Sequence, residues 1–478
     1  MSYRFAFGRP PAVAAKAMVA TSQPLATRAG LRALERGGNA ADAALAAAAV
    51  LAVTEPTGNG IGGDCFAIVW QDGRADGLDS AGPAPQNAEP LTPVAQEGGS
   101  SVTVPGAVGG WAALAERHGK LGLDACLEDA IDAAENGFAV TPLTAAAWQG
   151  GRHVPAEYLP APSVGEIVRL PELAATLRGI AAGGASAFYV GEVAAAIASV
   201  TWLDEDDLAA YEPRWVEPLS VSYRGHEVLE LPPPTQGVAA LEGLGLLERS
   251  SPSLASQIRC VRLALEDAFE RVRDGADVSE LVDPHYLDER RRAHPAAVSE
   301  PPGGTVYLCA VDSDRMAVSF IQSNYAGFGS GLVAPGTGVA LQNRGACFSV
   351  SGAVEPGRRP YHTIIPGMLL RDGALAGPFG VMGGFLQAQA HVKLVSAIVD
   401  DGLDPQAALE RPRFMVDGDA VRLEEGLWER DADLRQLGIA TVRETNTGYF
   451  GGGQAILVSG DVLVGGSDPR KDGYAGGL

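Results

Sequence analysis

The sequence predicts a mixed α+β protein, and three observations lead there. Residues 22–53 carry helical apolar spacing interrupted only by "GGN" at 37–39. From residue 305 the texture changes to alternating apolar runs separated by short polar turns, "TVYLCAVD", "SDRM", "AVSFIQS". No internal repeat or low-complexity linker divides the 478 residues, which are 46 % apolar. That length allows roughly two to four domains or one large layered globule.

Taken in order, residues 22–36 form one helix and Ala40 to Val53 a second, with Asn39 placed to cap the second. The run "AALAAAAVLAV" (43–53) is too short to span a bilayer, and its alanines suit a helix packed closely on both sides. "DCFAIVW" (64–70) with the turn "DGR" opens a strand pair, and "SVTVPGAVGGWAALAERHG" (101–119) reads as strand, turn and helix. Residues 256–273 place Ile258, Val261, Leu265, Phe269 and Val272 on one face of an amphipathic helix. "GVALQN", "GMLLRD", "QAILVSG" and "DVLVGG" make the C-terminal third sheet-rich, with one helix near 387–401.

Thirty-six basic against 58 acidic residues leave a formal charge of −22. Such a chain repels a phosphate backbone and offers no polybasic stripe to anionic lipid, so neither nucleic acid nor membrane is expected as a partner. The stretch "MSYRFAFGRPPAVAAKAMVAT" lacks the apolar core of a signal peptide, because Gly8 to Pro11 and Lys16 break it. Five cysteines, at 65, 126, 260, 309 and 347, form no CxxC pair and sit among apolar or small residues, as buried thiols do. A cytoplasmic location is the expectation.

"GNGIGG" (58–63) matches the dinucleotide fingerprint in letters only, since an alanine-rich helix precedes it and a strand follows. No G-x-x-x-x-G-K-[ST], H-E-x-x-H or G-x-S-x-G occurs, and the seven histidines are scattered. Neither a metal nor an organic cofactor is therefore expected.

Thr305 is different. It follows "EPPGG" at the first position of a buried strand, where a threonine freed by a chain cut could act as an N-terminal nucleophile with its own α-amine as base. Such a cut needs a strained peptide, and glycine before the threonine removes the Cβ that would obstruct it. The plain alternative for "PPGG" is a surface turn feeding a strand. A second pair, Gly383-Gly384 in "MGGFLQAQAH", precedes a helix, where free N–H groups could polarise a carbonyl oxygen.

Together these segments resemble the γ-glutamyltransferase family of N-terminal-nucleophile hydrolases over nearly the whole chain. The resemblance is carried in order by "GGNAADAALA" (37–46), "TEPTGNGIGGDCF" (54–66), "VPGAVGGW" (104–111), "DLAAYEP" (207–213), "YRGHEVLELPPPTQG" (223–237), "TVYLCAVD", "GFGSGLVAPGTG" (327–338), "PGRRPYHTIIPG" (356–367) and "MGGF". It implies a four-layer αββα sandwich and self-cleavage between Gly304 and Thr305. Residues 1–304 would become a large subunit and 305–478 a small one, the two remaining interlocked, and a homodimer of such heterodimers is compatible with the family. It also implies Thr305 as nucleophile, Ser323 as the second hydroxyl, and Gly383 and Gly384 as oxyanion donors.

The substrate side departs from the family pattern. Where its γ-glutamyl enzymes carry an arginine for the substrate carboxylate, "LDSAGPAP" (78–85) has Asp79, whose charge should repel that group. Cys347 stands where an aspartate grips the α-amino group, His362-Thr363 replace paired serines, and Tyr325 takes an asparagine's place with Asn324 adjacent. In "LQNRGACFS" (341–349), Asn343 and Arg344 complete the expected substrate-binding set, with Arg344 and His362 as replacement contacts for an anion. A short stretch between "FSV" and "PGRRP" implies an open site that favours hydrolysis over transfer.

The expected function is thus an autoprocessing amide hydrolase acting on a small amide. γ-Glutamyl amides such as glutathione, oxamate or another small carboxy-amide, and a β-lactam or other N-acyl compound are the candidate substrates. The rival of another class is an uncleaved, inactive ligand-binding scaffold.

Overall fold

The computed structural model describes residues 8–90, 94–297 and 303–478. The first seven residues, which belong to the stretch read for a signal peptide, and Glu300 to Pro302 of "EPPGG" lie outside the described residues.

Period-two alternation in the long runs builds two seven-stranded sheets. The first runs, in spatial order, Tyr474–Gly477, Met18–Thr21, Gly304–Val311, Ala317–Tyr325, Asp64–Gln71, Arg74–Ser80, Arg214–Val216. The second runs Ala12–Ala14, Val462–Ser467, Gly452–Ser459, Ala374–Met382, Gly367–Arg371, His226–Glu230, Leu219–Tyr223. Neighbouring strands are antiparallel throughout both sheets.

The pleat decides which layer each side chain joins. Along Gly304–Val311, Val306, Leu308 and Ala310 pack with helices, whereas Tyr307, Cys309 and Val311 pack with Met368, Leu370 and Ile456 of the other sheet. Both faces of this strand are therefore dry, which its near-continuous apolar sequence requires. Helices Pro24–Glu35 and Ala40–Thr54 cover the first sheet, and Gly237–Glu248, Leu254–Arg271 and Leu386–Val399 cover the second. The result is the αββα sandwich. Both sheets combine strands from before and from after residue 304, so neither part of the chain holds a complete sheet by itself.

The helix Ala40–Thr54 is buried at every position. Asn39 caps it as expected: its side chain accepts from the N–H groups of Ala41 and Asp42, and Asp42 accepts in return from the Asn39 N–H, closing a capping box. The other expected helices form with ends displaced by one or two residues.

Two expected strands are corrected. Residues 102–106 are irregular, with a 3₁₀ turn at Gly99–Ser101 before them and the helix Ala107–His118 after. Their backbone groups find other partners: the Val104 N–H donates to Pro83 O, Val102 O accepts from the Trp202 indole, and the Gly106 N–H donates to Asp64. "GVALQN" contributes only the two-residue strand Val339–Ala340, paired with Val333–Ala334. No helix among the described residues is long and apolar enough to cross a membrane.

Candidate active site

The hairpin of Gly304–Val311 and Ala317–Tyr325 places Gly304 opposite Tyr325 and Val306 opposite Gln322, with a bulge between. That register brings Thr305 beside Ser323. Ser323 Oγ lies 2.6 Å from the carbonyl oxygen of Gly304, Thr305 Oγ1 lies 2.6 Å from the same oxygen, and the two hydroxyls are 3.4 Å apart. Thr305 is 3 % exposed and Ser323 fully buried.

Glycine backbones enclose this peptide. A Cβ added at Gly58 would stand 2.9 Å from Thr305 N, and Gly63 runs against the Ser323 carbonyl too closely for any side chain. The "GNGIGG" loop is therefore a packing surface for the strand that carries Thr305. A Cβ on Gly303 would lie 3.1 Å from Gly384 Cα, which puts the Gly383–Gly384 turn directly against the peptide. Both of those glycines have positive φ, +131° and +63°, a region in which a side chain is strained. Among the described residues neither N–H has a protein acceptor.

Arg344 lies behind the hydroxyl pair. Its Nη2 donates to Ser323 Oγ at 3.2 Å and its Nη1 to Thr363 Oγ1 at 3.0 Å and to Cys347 Sγ at 3.8 Å. The guanidinium stacks 4.7 Å from the centre of the Tyr325 ring, and Tyr325 itself has φ +75°. Arg344 is fully buried and takes part in no ion pair among the described residues, and its Nε has no acceptor. Burial pushes the Cys347 thiol up, against the opposing pull of Arg344.

Thus Thr305, Ser323, Tyr325, Arg344, Cys347 and Thr363 come together, while four other expected residues turn elsewhere. Asp79 is held at 2.7 Å by Arg359 and accepts from the Ala81 N–H, so its charge is neutralised inside the protein and does not stand free to repel a substrate. Burial raises its pKa, and Arg359 opposes that rise. His362 donates its Nδ1–H to Pro360 O and places Nε2 2.9 Å from Asp64, which leaves no ring nitrogen for an anion; burial, then Arg344, lower its pKa. Asn343 braces two loops, accepting from the Ala326 N–H and donating to Gln96 O. The pleat turns Asn324 away from Ser323 toward Gly60 and Gly63, where neither amide atom has a hydrogen-bond partner among the described residues.

Sequence reasoning missed several neighbours. Gln387 donates from Nε2 to Thr305 Oγ1 at 3.4 Å, and the Ile365 N–H at its Oε1 fixes which way the amide points. Gln236 donates to both Thr363 O and Gly384 O, tying the two loops together. A cavity of about 310 Å³ opens onto Gly303, Gly304, Thr305 and Gly383, and its wall carries Lys471 paired with Glu55 at 3.0 Å. Gln387 was within reach of inspection, since it follows the glycine pair by three residues. Nothing in the sequence pointed to Lys471.

A hydroxyl pair on one carbonyl, two unpaired N–H groups and a layered αββα frame define an amidohydrolase of the N-terminal-nucleophile type. The chain belongs to the gamma-glutamyltranspeptidase family, whose model matches residues 26–478. It is 32 % identical to the glutathione hydrolase-like YwrD proenzyme of Bacillus subtilis, over 98 % of this chain and 99 % of that one. It is also 32 % identical to the oxamate amidohydrolase proenzyme of Klebsiella pneumoniae, over 97 % and 99 %. The crystal structure of a cephalosporin acylase from Bacillus halodurans superposes with a TM-score of 0.92 at 41 % identity, covering 100 % of this chain and 98 % of that one.

Proposed function

We propose that the protein cleaves itself between Gly304 and Thr305 and then hydrolyses a small amide that carries a carboxylate, through an ester on Thr305. The observation that carries this reading is the placing of the Ser323 and Thr305 hydroxyls on the Gly304 carbonyl oxygen, each at 2.6 Å. After the cut, Thr305 Oγ attacks the substrate carbonyl, the free α-amine takes the hydroxyl proton and passes it to the leaving nitrogen, and water releases the acid. The Gly383 and Gly384 N–H groups hold the oxyanion.

Arg344 supports the carboxylate. A buried guanidinium with no carboxylate partner among the described residues is costly until an anion arrives. It donates to Ser323, whose hydroxyl touches the Gly304 carbonyl. Cys347, a thiol raised by burial, stands where the γ-glutamyl enzymes carry the aspartate that grips the α-amino group, which favours a short carboxy-amide over a γ-glutamyl group. Likeness to the cephalosporin acylase favours a second reading, removal of an N-acyl side chain.

A hydrolysis panel tests this, setting oxamate and other short carboxy-amides against their uncharged counterparts, glutathione and N-acyl amides. Short carboxy-amides are expected to give the highest kcat/KM. Equal rates for charged and uncharged members overturn the carboxylate assignment.

A further inference from the structure

We propose that Arg344 drives the self-cleavage itself: acting through the Ser323 hydroxyl, its guanidinium polarises the Gly304 carbonyl that Thr305 attacks. This rests on the reading of Thr305 as the self-cleaving nucleophile, and it adds a role for Arg344 that precedes any substrate.

The argument is a count of donors. Ser323 Oγ receives the Tyr325 N–H at 2.8 Å and Arg344 Nη2 at 3.2 Å. A backbone N–H and a guanidinium can only donate, so between them they occupy both lone pairs of the hydroxyl oxygen. Of the two oxygens that remain in reach, Gly304 O at 2.6 Å and Thr305 Oγ1 at 3.4 Å, the carbonyl is much the nearer and takes the single Ser323 proton. A hydroxyl that accepts from a cation is a stronger donor, so the charge of Arg344 is transmitted to the carbonyl.

The guanidinium is held for this purpose. Thr363 Oγ1 takes Nη1 and the Tyr325 ring lies beneath it. Full burial removes solvent screening, and among the described residues no ion pair spends the charge elsewhere. The negative charge it faces is the one that develops on Gly304 O. Thr305 Oγ forms a bond to the Gly304 carbon and its proton passes to the Thr305 nitrogen. The C–N bond then breaks to leave an ester, and water hydrolyses that ester to a Gly304 carboxylate and a free Thr305 amine. Arg344 touches neither reacting atom and is a positioning residue acting through Ser323.

The test follows the loss of full-length chain after cell-free synthesis, by denaturing electrophoresis, in a double-mutant cycle of Arg344→Met and Ser323→Ala. Thermal unfolding of each precursor checks that it folds, and Arg344→Lys takes the place of Arg344→Met in the cycle should the latter not fold. Arg344→Met is expected to slow maturation by about 100-fold, in the range for loss of an oxyanion donor. In the Ser323→Ala background the same change is expected to have little further effect, and Arg344→Lys is expected to fall between Met and wild type. A purely structural role would slow both backgrounds alike. Equal slowing with and without Ser323, or maturation at the wild-type rate, overturns the proposal. Should the wild-type chain never cut before Thr305, it is the nucleophile reading that fails.

Discussion

Ser323 Oγ lies 2.6 Å from the carbonyl oxygen of Gly304, on the residue that precedes Thr305, and its proton is directed there by the two donors on its other side. Under the proposed mechanism this serine polarises the carbonyl before the cut and orients Thr305 afterwards. Ser323→Ala is expected to slow maturation and to lower kcat by roughly 10²–10³, the usual loss for an oxyanion donor. Time courses of cleavage, and steady-state kinetics on the matured fraction, check both effects.

Gly383→Ala forces a side chain onto φ +131° and within 3.2 Å of Gly451 Cα. The expected result is a loss of roughly 1–3 kcal/mol in stability together with a large fall in kcat, because the N–H is displaced. Thermal unfolding beside the kinetics separates the two. Unchanged kcat in a folded variant would remove this N–H from the oxyanion site.

Asp79→Arg would restore the arginine found in the γ-glutamyl enzymes that the sequence resembles. In this fold it sets a second guanidinium against buried Arg359 in place of the 2.7 Å ion pair. It is expected to cost about 3–5 kcal/mol and to confer no γ-glutamyl hydrolysis. Denaturant unfolding and a glutathione assay check the two statements.

Glu242 lies buried on the helix after Gln236, and burial, followed by a hydrogen bond to Asp267 and that residue's charge, holds its pKa well above the carboxylate range. The folded state therefore keeps a proton that the unfolded chain releases above its ordinary pKa near 4.5. Stability falls as pH rises from there through the folded pKa. Glu242→Gln removes the titration, so its gain in Tm over wild type is expected to grow with pH. A gain that is the same at acid and alkaline pH would contradict this.

What could be read from the sequence was local. Thr305 and Ser323 are eighteen residues apart; the family resemblance named the pair, and alternation along two strands joined by a short turn agrees with their meeting. The same alternation also tells Asn324 apart from Ser323, since neighbours on a strand face opposite ways. The pairs Asp79–Arg359 and Asp64–His362 were hidden because their members are 280 and 298 positions apart. An aspartate or histidine gives no sign in sequence of whether its partner will be a substrate or a distant side chain. Gln236 and Gln387 were hidden for the same reason, because amides bond with whatever the fold sets beside them. Residues 102–106 read as a strand because their apolar side chains are buried, but their backbone groups are spent on loops and on Asp64.

The central claim is that the Gly304–Thr305 peptide is cut by Thr305. Intact-mass analysis of the purified protein, with N-terminal sequencing, tests it most directly. Two chains are predicted, the smaller beginning at Thr305, and Thr305→Ala is predicted to yield one folded, uncut and inactive chain. A wild-type protein that stays whole at its full 49.3 kDa after prolonged incubation, or that is cut at another peptide, would contradict the account.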